Sequence, residues 1–173
     1  MGAIRSGEPP EPIAVAPRGY DGTLEPSRLP WRWATTRLEA ASDYWIATTR
    51  PDGRPHSRPV WGVWLDNGFY FSAGSLAARN LAVQPAITVH PESGEEVVIV
   101  EGAAEVAQGE ELLRRVSALY TAKYHWDDPG SEADPFYVVH PQVLFGCVAD
   151  SIRLDGGAAF HGTATRWQFE RQE

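Results

Sequence analysis

The chain has 173 residues, 43% of them hydrophobic, with 7 Trp, 6 Tyr and 6 Phe, enough apolar surface for one real core. Its formal charge of −8 argues against a sequence-independent nucleic-acid binder, which needs a basic face to release counterions. A single cysteine excludes an intrachain disulfide and a cysteine-built metal site, and no apolar stretch approaches the length of a membrane span. With no hydrophobic signal core near Met1, the expectation is a cytoplasmic protein with no membrane or nucleic-acid partner.

Residues 1–28 are rich in Pro, Gly and charge and read as a disordered or loosely ordered arm, followed by one domain over 29–173. Pro30 suits a first helical turn, and Trp31, Ala34, Leu38 and Ala41 fall on one face of a helix closed by Ser42-Asp43. Strands are predicted from Tyr44 to Thr49, stopped by Arg50-Pro51-Asp52-Gly53, and from Pro55 to Trp64. Asp66-Asn67-Gly68 is a hairpin turn into a strand at Phe69–Ser72. A short helix over Leu76–Val83 precedes strands at Ala86–His90 and Val97–Val106. Leu112, Leu113, Val116, Leu119, Tyr120 and Tyr124 stripe a helix over Glu110–Tyr124, read as core packing. An acidic loop at Trp126–Asp134 leads to a long strand at Val143–Leu154, and Thr163–Phe169 is the last strand. Hairpins outnumber any βαβ spacing, and no dinucleotide-type glycine motif is present, so the class is mainly β (α+β), a closed or split barrel with flanking helices.

The chemistry concentrates where the strand ending at Phe71 meets the next helix, at Ser72-Ala73-Gly74-Ser75, with Arg79-Asn80 one turn further in. A helix starting near Ser75 exposes unpaired N–H groups and a positive dipole end, Gly74 permits close backbone approach, and Arg79 adds a full charge. That junction suits a phosphate; equally, Ser75 can serve as a plain helix cap and Arg79 as solvated surface. Trp61 and Trp64 can stack on a ligand or pack at a subunit interface. Cys147 sits in an apolar run and reads as a small buried hydrophobe. The five histidines show no metal-ligand spacing, so no metal is expected, and Glu101 with Glu105 reads as a solvated stripe. His56 is the nearest candidate for an acid or base, yet no catalytic residue is assigned.

Four stretches, "DGRPHSRPVWGVW", "GFYFSAGSLAARNLAVQP", "VVIVEGAAEV" and "ATRWQF", together resemble the pyridoxamine 5′-phosphate oxidase-like flavin-binding split barrels, in the same order from about Trp31 to Phe169. Pro59-Val60-Trp61, Ala78-Arg79-Asn80-Leu81 and Thr165-Arg166-Trp167 look most like the branch that uses the deazaflavin coenzyme F420. The resemblance implies a six-stranded antiparallel split β-barrel pairing into a homodimer, with a small-molecule substrate. Its cofactor would be F420, with FMN as the alternative, and a non-enzymatic flavin or haem binder as a third reading. By the same resemblance the cofactor phosphate would meet Arg58, Ser72, Ser75, Arg79 and Asn80. Pro59, Val60 and Trp61 would run beside the ring, Tyr70 and Phe71 would lie at its ribityl side, and Arg166 and Trp167 would close the groove from the other subunit. Leu76 and Ala77 stand where the family usually carries a basic residue, which removes one charge-assisted contact.

Overall fold

Hairpin geometry organises the sheet. In the computed structural model, which describes residues 11–19, 28–126, 129–131, 134–149 and 158–169, Asp66 and Asn67 take φ of 49° and 59°. Two successive residues in that left-handed region make the turn whose twist matches the flanking strands, and it joins β4 (Val63–Leu65) to β5 (Gly68–Ser72). From α3 (Glu110–Tyr124), Arg115 grips the Asp66 carboxylate in two contacts of 2.7 and 3.2 Å.

The remaining elements are β1 (Ile13–Val15), α1 (Trp31–Ala40), β2 (Tyr44–Thr49), β3 (Pro55–Val60), α2 (Ser75–Val83), β6 (Ala86–Pro91), β7 (Glu96–Val106), β8 (Phe136–Val148), α4 (Ala158–Thr163) and β9 (Thr165–Gln168). Among the described residues the strand order is β1-β9-β8-β7-β6-β2-β3, with β5 also on β8 and β4 on β5, every pairing antiparallel. The sheet is not closed. It is a split barrel of the α+β class, with β3 at one open edge, where Pro55 and Pro59 are tolerated because an edge strand need not donate on both sides.

β8 is the spine. One of its edges carries β7 along its length; the other carries β5 at Phe136–Val139 and β9 at Val143–Gly146. Its pairing with β7 shifts register between Glu101 and Gly102, leaving Gln142 as the extra residue. At this bulge the backbones come close: a Cβ on Gly102 would lie 2.3 Å from the His140 carbonyl oxygen. Gly102→Ala should therefore lower the urea midpoint at unchanged slope, by about 1–3 kcal/mol in stability, because backbone and not a flexible side chain must move.

Several boundaries differ from those read in the sequence. The expected strand at Val143 begins seven residues earlier, at Phe136. Phe136–Val139 are all buried, and Tyr137–Val139 are paired on both edges, so no polar-apolar alternation marks them. Residues 150–154 of that expected strand lie outside the described residues. The expected strand at Pro55–Trp64 breaks at Trp61-Gly62 into β3 and β4, which together with β1 brings the strands among the described residues to nine. Within the segment read as an arm, Ile13–Val15 pair with β9. α4 was not anticipated.

The core has two parts. The larger gathers α1, α2 and the inner sheet face around Leu38, Tyr44, Ile46, Phe69, Phe71, Leu144 and Trp167. The smaller packs Val116 and Tyr120 of α3 on Val63, Tyr70, Phe136 and Val138.

Candidate functional site

Where β3 stops and β5 runs out, the two parts of the core leave a cleft of about 450 Å³, within the range of small-molecule sites. Alternation along β3 turns His56, Arg58 and Val60 to one side and Pro55, Ser57 and Pro59 to solvent. Arg58 pairs with Ile46 and Val60 with Tyr44, so Arg58 is carried at the rim of the inner face, half-buried above a wholly buried neighbour. Ser72, Ala73 and Gly74 form the opposite wall. Gly74 is the N-cap of α2 and supplies no side-chain cap, so the first-turn N–H groups carry the positive end of the helix dipole.

The third wall comes from α3 and the loop after it. The Tyr120 hydroxyl donates to the Trp61 carbonyl and accepts from the Ser72 N–H at 3.2 Å. It thereby ties the end of β3 to the end of β5. Burial raises the Tyr120 pKa well above that of a free phenol, so it is a fixed donor and not a base. Trp61 is 46% exposed and stacks on Tyr124 with centroids 4.8 Å apart and planes 7° apart, while Trp126 meets it edge-on at 5.9 Å. Asp43 and Asp134 also border the cleft, which is therefore of mixed charge around Arg58.

Of the residues singled out in the sequence, the structure gathers Arg58, Pro59, Val60, Trp61 and Ser72 around this cleft. The Ser72 hydroxyl donates to the Asp134 carbonyl at 2.8 Å, so its proton is already engaged. Ser75 opens α2, but its side chain lies outside the described residues. Arg79 is exposed on α2 and does not line the cleft.

Asn80 lies wholly inside; its amide donates to Thr48 Oγ1 at 2.9 Å, and its Oδ1 is enclosed with no partner among the described residues. Phe71 stacks between Phe69 and Tyr137 in the core, at 5.8 and 5.6 Å. Tyr70 belongs to the smaller core and borders a separate hollow of about 270 Å³ with Glu105 and His140. Arg166 is half-buried on β9, between Val15 and Phe145. Trp167 is fully buried, packed edge-on against Trp31, because alternation on β9 sends residues 165 and 167 inward. Phe71, Asn80 and Trp167 thus offer a ligand no surface in the protomer.

Sequence reasoning missed Asp43, Tyr120, Trp126 and Asp134. Tyr120 was read as core and is core, yet its hydroxyl reaches the cleft wall; only a phenol at an otherwise aliphatic position of the α3 stripe hinted at that. Burial pushes the Cys147 thiol up to about 11, an inert group. Among the described residues, no group of three or more His, Cys, Asp or Glu is placed to hold a metal. No described helix is long and apolar enough to cross a membrane.

The fold and cleft define a split-barrel protein with a candidate small-molecule site between β3, α2 and α3. The chain matches the family described as "Pyridoxamine 5'-phosphate oxidase" over residues 35–147, and it belongs to that family. No curated protein matches it. Solved structures share the fold at low identity. General Stress Protein 26 from Bacillus anthracis aligns at 18% identity and TM-score 0.56, over 66% of this chain and 91% of its own. An FAD-binding protein from Mesorhizobium loti aligns at 20% and 0.55, over 67% and 92%. A heme binding protein from Mycobacterium smegmatis aligns at 21% and 0.54, over 68% and 54%.

Proposed function

We propose that the protein is a flavin-type oxidoreductase that holds a phosphate-bearing ring cofactor in the Arg58–Gly74 cleft and serves hydride transfer to or from a small organic substrate. The observation that carries this reading is the convergence of Arg58 and the uncapped start of α2 on one cleft whose third wall presents the Trp61 ring. A phosphate is favoured by the guanidinium and the helix start, and a flat ring by the exposed indole. The bound cofactor supplies the hydride chemistry, so the protein's part is to orient it and shield it from water. That division fits a cleft whose best-placed hydroxyl, Tyr120, is held as a phenol.

The finer reading is that this cofactor is the deazaflavin F420, with FMN second. It is supported by the resemblance at Pro59-Val60-Trp61, Ala78-Arg79-Asn80-Leu81 and Thr165-Arg166-Trp167. Ala77 is fully buried, so the missing family charge could not be restored there without entering the core. Charge compensation then rests on Arg58 and the helix. Fluorescence titration with F420 and with FMN tests the reading: tighter binding of F420 is expected, and binding of neither would overturn it. Turnover of the reduced cofactor then separates an enzyme from a carrier.

We further propose that it works as a homodimer in the cytoplasm. Trp45 on β2, 39% exposed, lies directly across from the exposed Pro59 on β3, an apolar pair on the outer sheet face that a second copy could cover. Light scattering at micromolar concentration should return twice the 19.1 kDa chain mass; a monomeric mass would sink the proposal.

A further inference from the structure

Trp61 belongs to no strand: β3 ends at Val60 and β4 starts at Val63. Its stance depends on what grips the Trp61-Gly62 corner, and that grip comes from one face of α3. Tyr120, Lys123 and Tyr124 stand at i, i+3 and i+4, the spacing that aligns side chains on a helix. Tyr120 takes the Trp61 carbonyl. The Tyr124 hydroxyl accepts from the Gly62 N–H at 3.0 Å, and its ring lies under the indole. Lys123, the chain's single lysine, donates from Nζ to the Gly62 carbonyl at 3.0 Å and to the Tyr44 hydroxyl at 2.9 Å. Behind the corner there is no slack: a Cβ on Gly62 would stand 2.2 Å from the Phe69 ring.

We infer that Lys123 is a positioning residue for the cleft, clamping the Trp61-Gly62 corner so that the Trp61 ring meets the bound ring in one orientation, at a cost to the stability of the fold. The inference rests on the cofactor reading of the cleft above.

The cost follows from where the ammonium sits. Half-buried over the Tyr44 and Tyr124 rings, it is pushed down to about 8 by desolvation, which Asp43 and Glu92 oppose. The groups facing it are the Glu39 carbonyl at the end of α1, Asp43 before β2, Tyr44 on β2, Glu92 after β6, and Tyr124 on its own helix. A folded-state pKa near 8 against an ordinary 10.5 means the unfolded chain binds more protons between those values. Stability from this group therefore rises with pH across that window, and at pH 7 the charged form is carried at a penalty. Removing it strands no partner. The Tyr44 hydroxyl still donates to the Leu38 carbonyl. The Tyr124 hydroxyl can turn its one proton to the Gly62 carbonyl at 2.8 Å, since its other acceptor, the Ser42 carbonyl at 2.9 Å, belongs to an exposed residue that water reaches.

Lys123→Met separates the clamp from a merely structural role. At pH 7 its unfolding midpoint should equal or exceed that of the wild type. It should bind the preferred probe, F420 or FMN, about five- to tenfold more weakly, because an indole no longer held in place must be ordered on binding. The ratio of wild-type to variant affinity, in which titration of the probe cancels, should shrink above pH 8. Equal affinities, or a loss of affinity matched by a loss of stability, would overturn the inference. A readout without any cofactor keeps the two readings apart: acrylamide quenching of Trp61, taken as the difference between each protein and its Trp61→Phe counterpart. Greater quenching in Lys123→Met is expected, and unchanged quenching would refute the clamp even if both probes bind. Should the wild type bind neither probe, the cofactor reading falls, and with it the role assigned to the clamp.

Discussion

Trp167→Ala is expected to destabilise the protein by about 3–5 kcal/mol, the cost of emptying a large aromatic site in a packed core. Trp167 is the largest fully buried side chain among the described residues. Its ring packs on Trp31 at 5.8 Å and lies over Gly146, where a Cβ would stand only 2.8 Å from it. Against a total stability of about 5–15 kcal/mol for a typical domain, that loss removes about a fifth or more, and the urea midpoint should report it. Trp167→Phe should be far milder. The indole Nε1 is enclosed with no hydrogen-bond partner among the described residues, so the phenyl ring gives up some volume but also removes an unsatisfied donor worth about 1–3 kcal/mol. A Trp167→Ala protein as stable as the wild type would return this residue to the groove-closing role that the family resemblance assigns.

Arg58→Ala should weaken cofactor binding about five- to 150-fold, about 1–3 kcal/mol for a charge-assisted contact in a partly dry site. Arg79→Ala should cost less. In the sequence Arg79 stands one turn into the helix expected to receive the anion, and both it and Arg58 are implied phosphate contacts. In the folded chain α2 presents Arg79 to solvent, whereas β3 carries Arg58 to the cleft. Arg50, in its Pro-Asp-Gly turn, does not serve as a solvated control: it is half-buried, and its Nε is enclosed with no partner among the described residues. The exposed Arg32 on α1 is the proper comparison, since its removal changes net charge equally. Titrations at two salt concentrations separate general screening from a positioned contact. Equal losses at Arg58 and Arg32 would mean that net charge explains the effect.

The contrast between the two arginines shows how far the site could be read from residues alone. The junction Ser72-Ala73-Gly74 was legible because small residues between a strand and a helix start leave a mark in local sequence, and the Trp61 wall was legible through its aromatic type. The α3 side of the cleft was not. Tyr120 and Tyr124 look like any apolar stripe, and nothing local says that their hydroxyls bridge to residues 48 to 62 positions away.

What the sequence determined by itself was the set of elements that rest on local rules. The hairpin at Asp66-Asn67 follows from two residues tolerant of positive φ, and α3 from its amphipathic period. The order of those elements points to a closed or split barrel, and the family resemblance to the split form. Only the tertiary structure decided the rest, because the deciding contacts are non-local. The start of β8 at Phe136 is hidden in sequence, since a segment paired on both edges and buried on both faces has no period to read. Which arginine faces the cleft, and whether Trp167 is core or surface, depends on how α2 and β9 rotate when they pack. Rotation is set by the fit of the whole core and by no residue's own propensity.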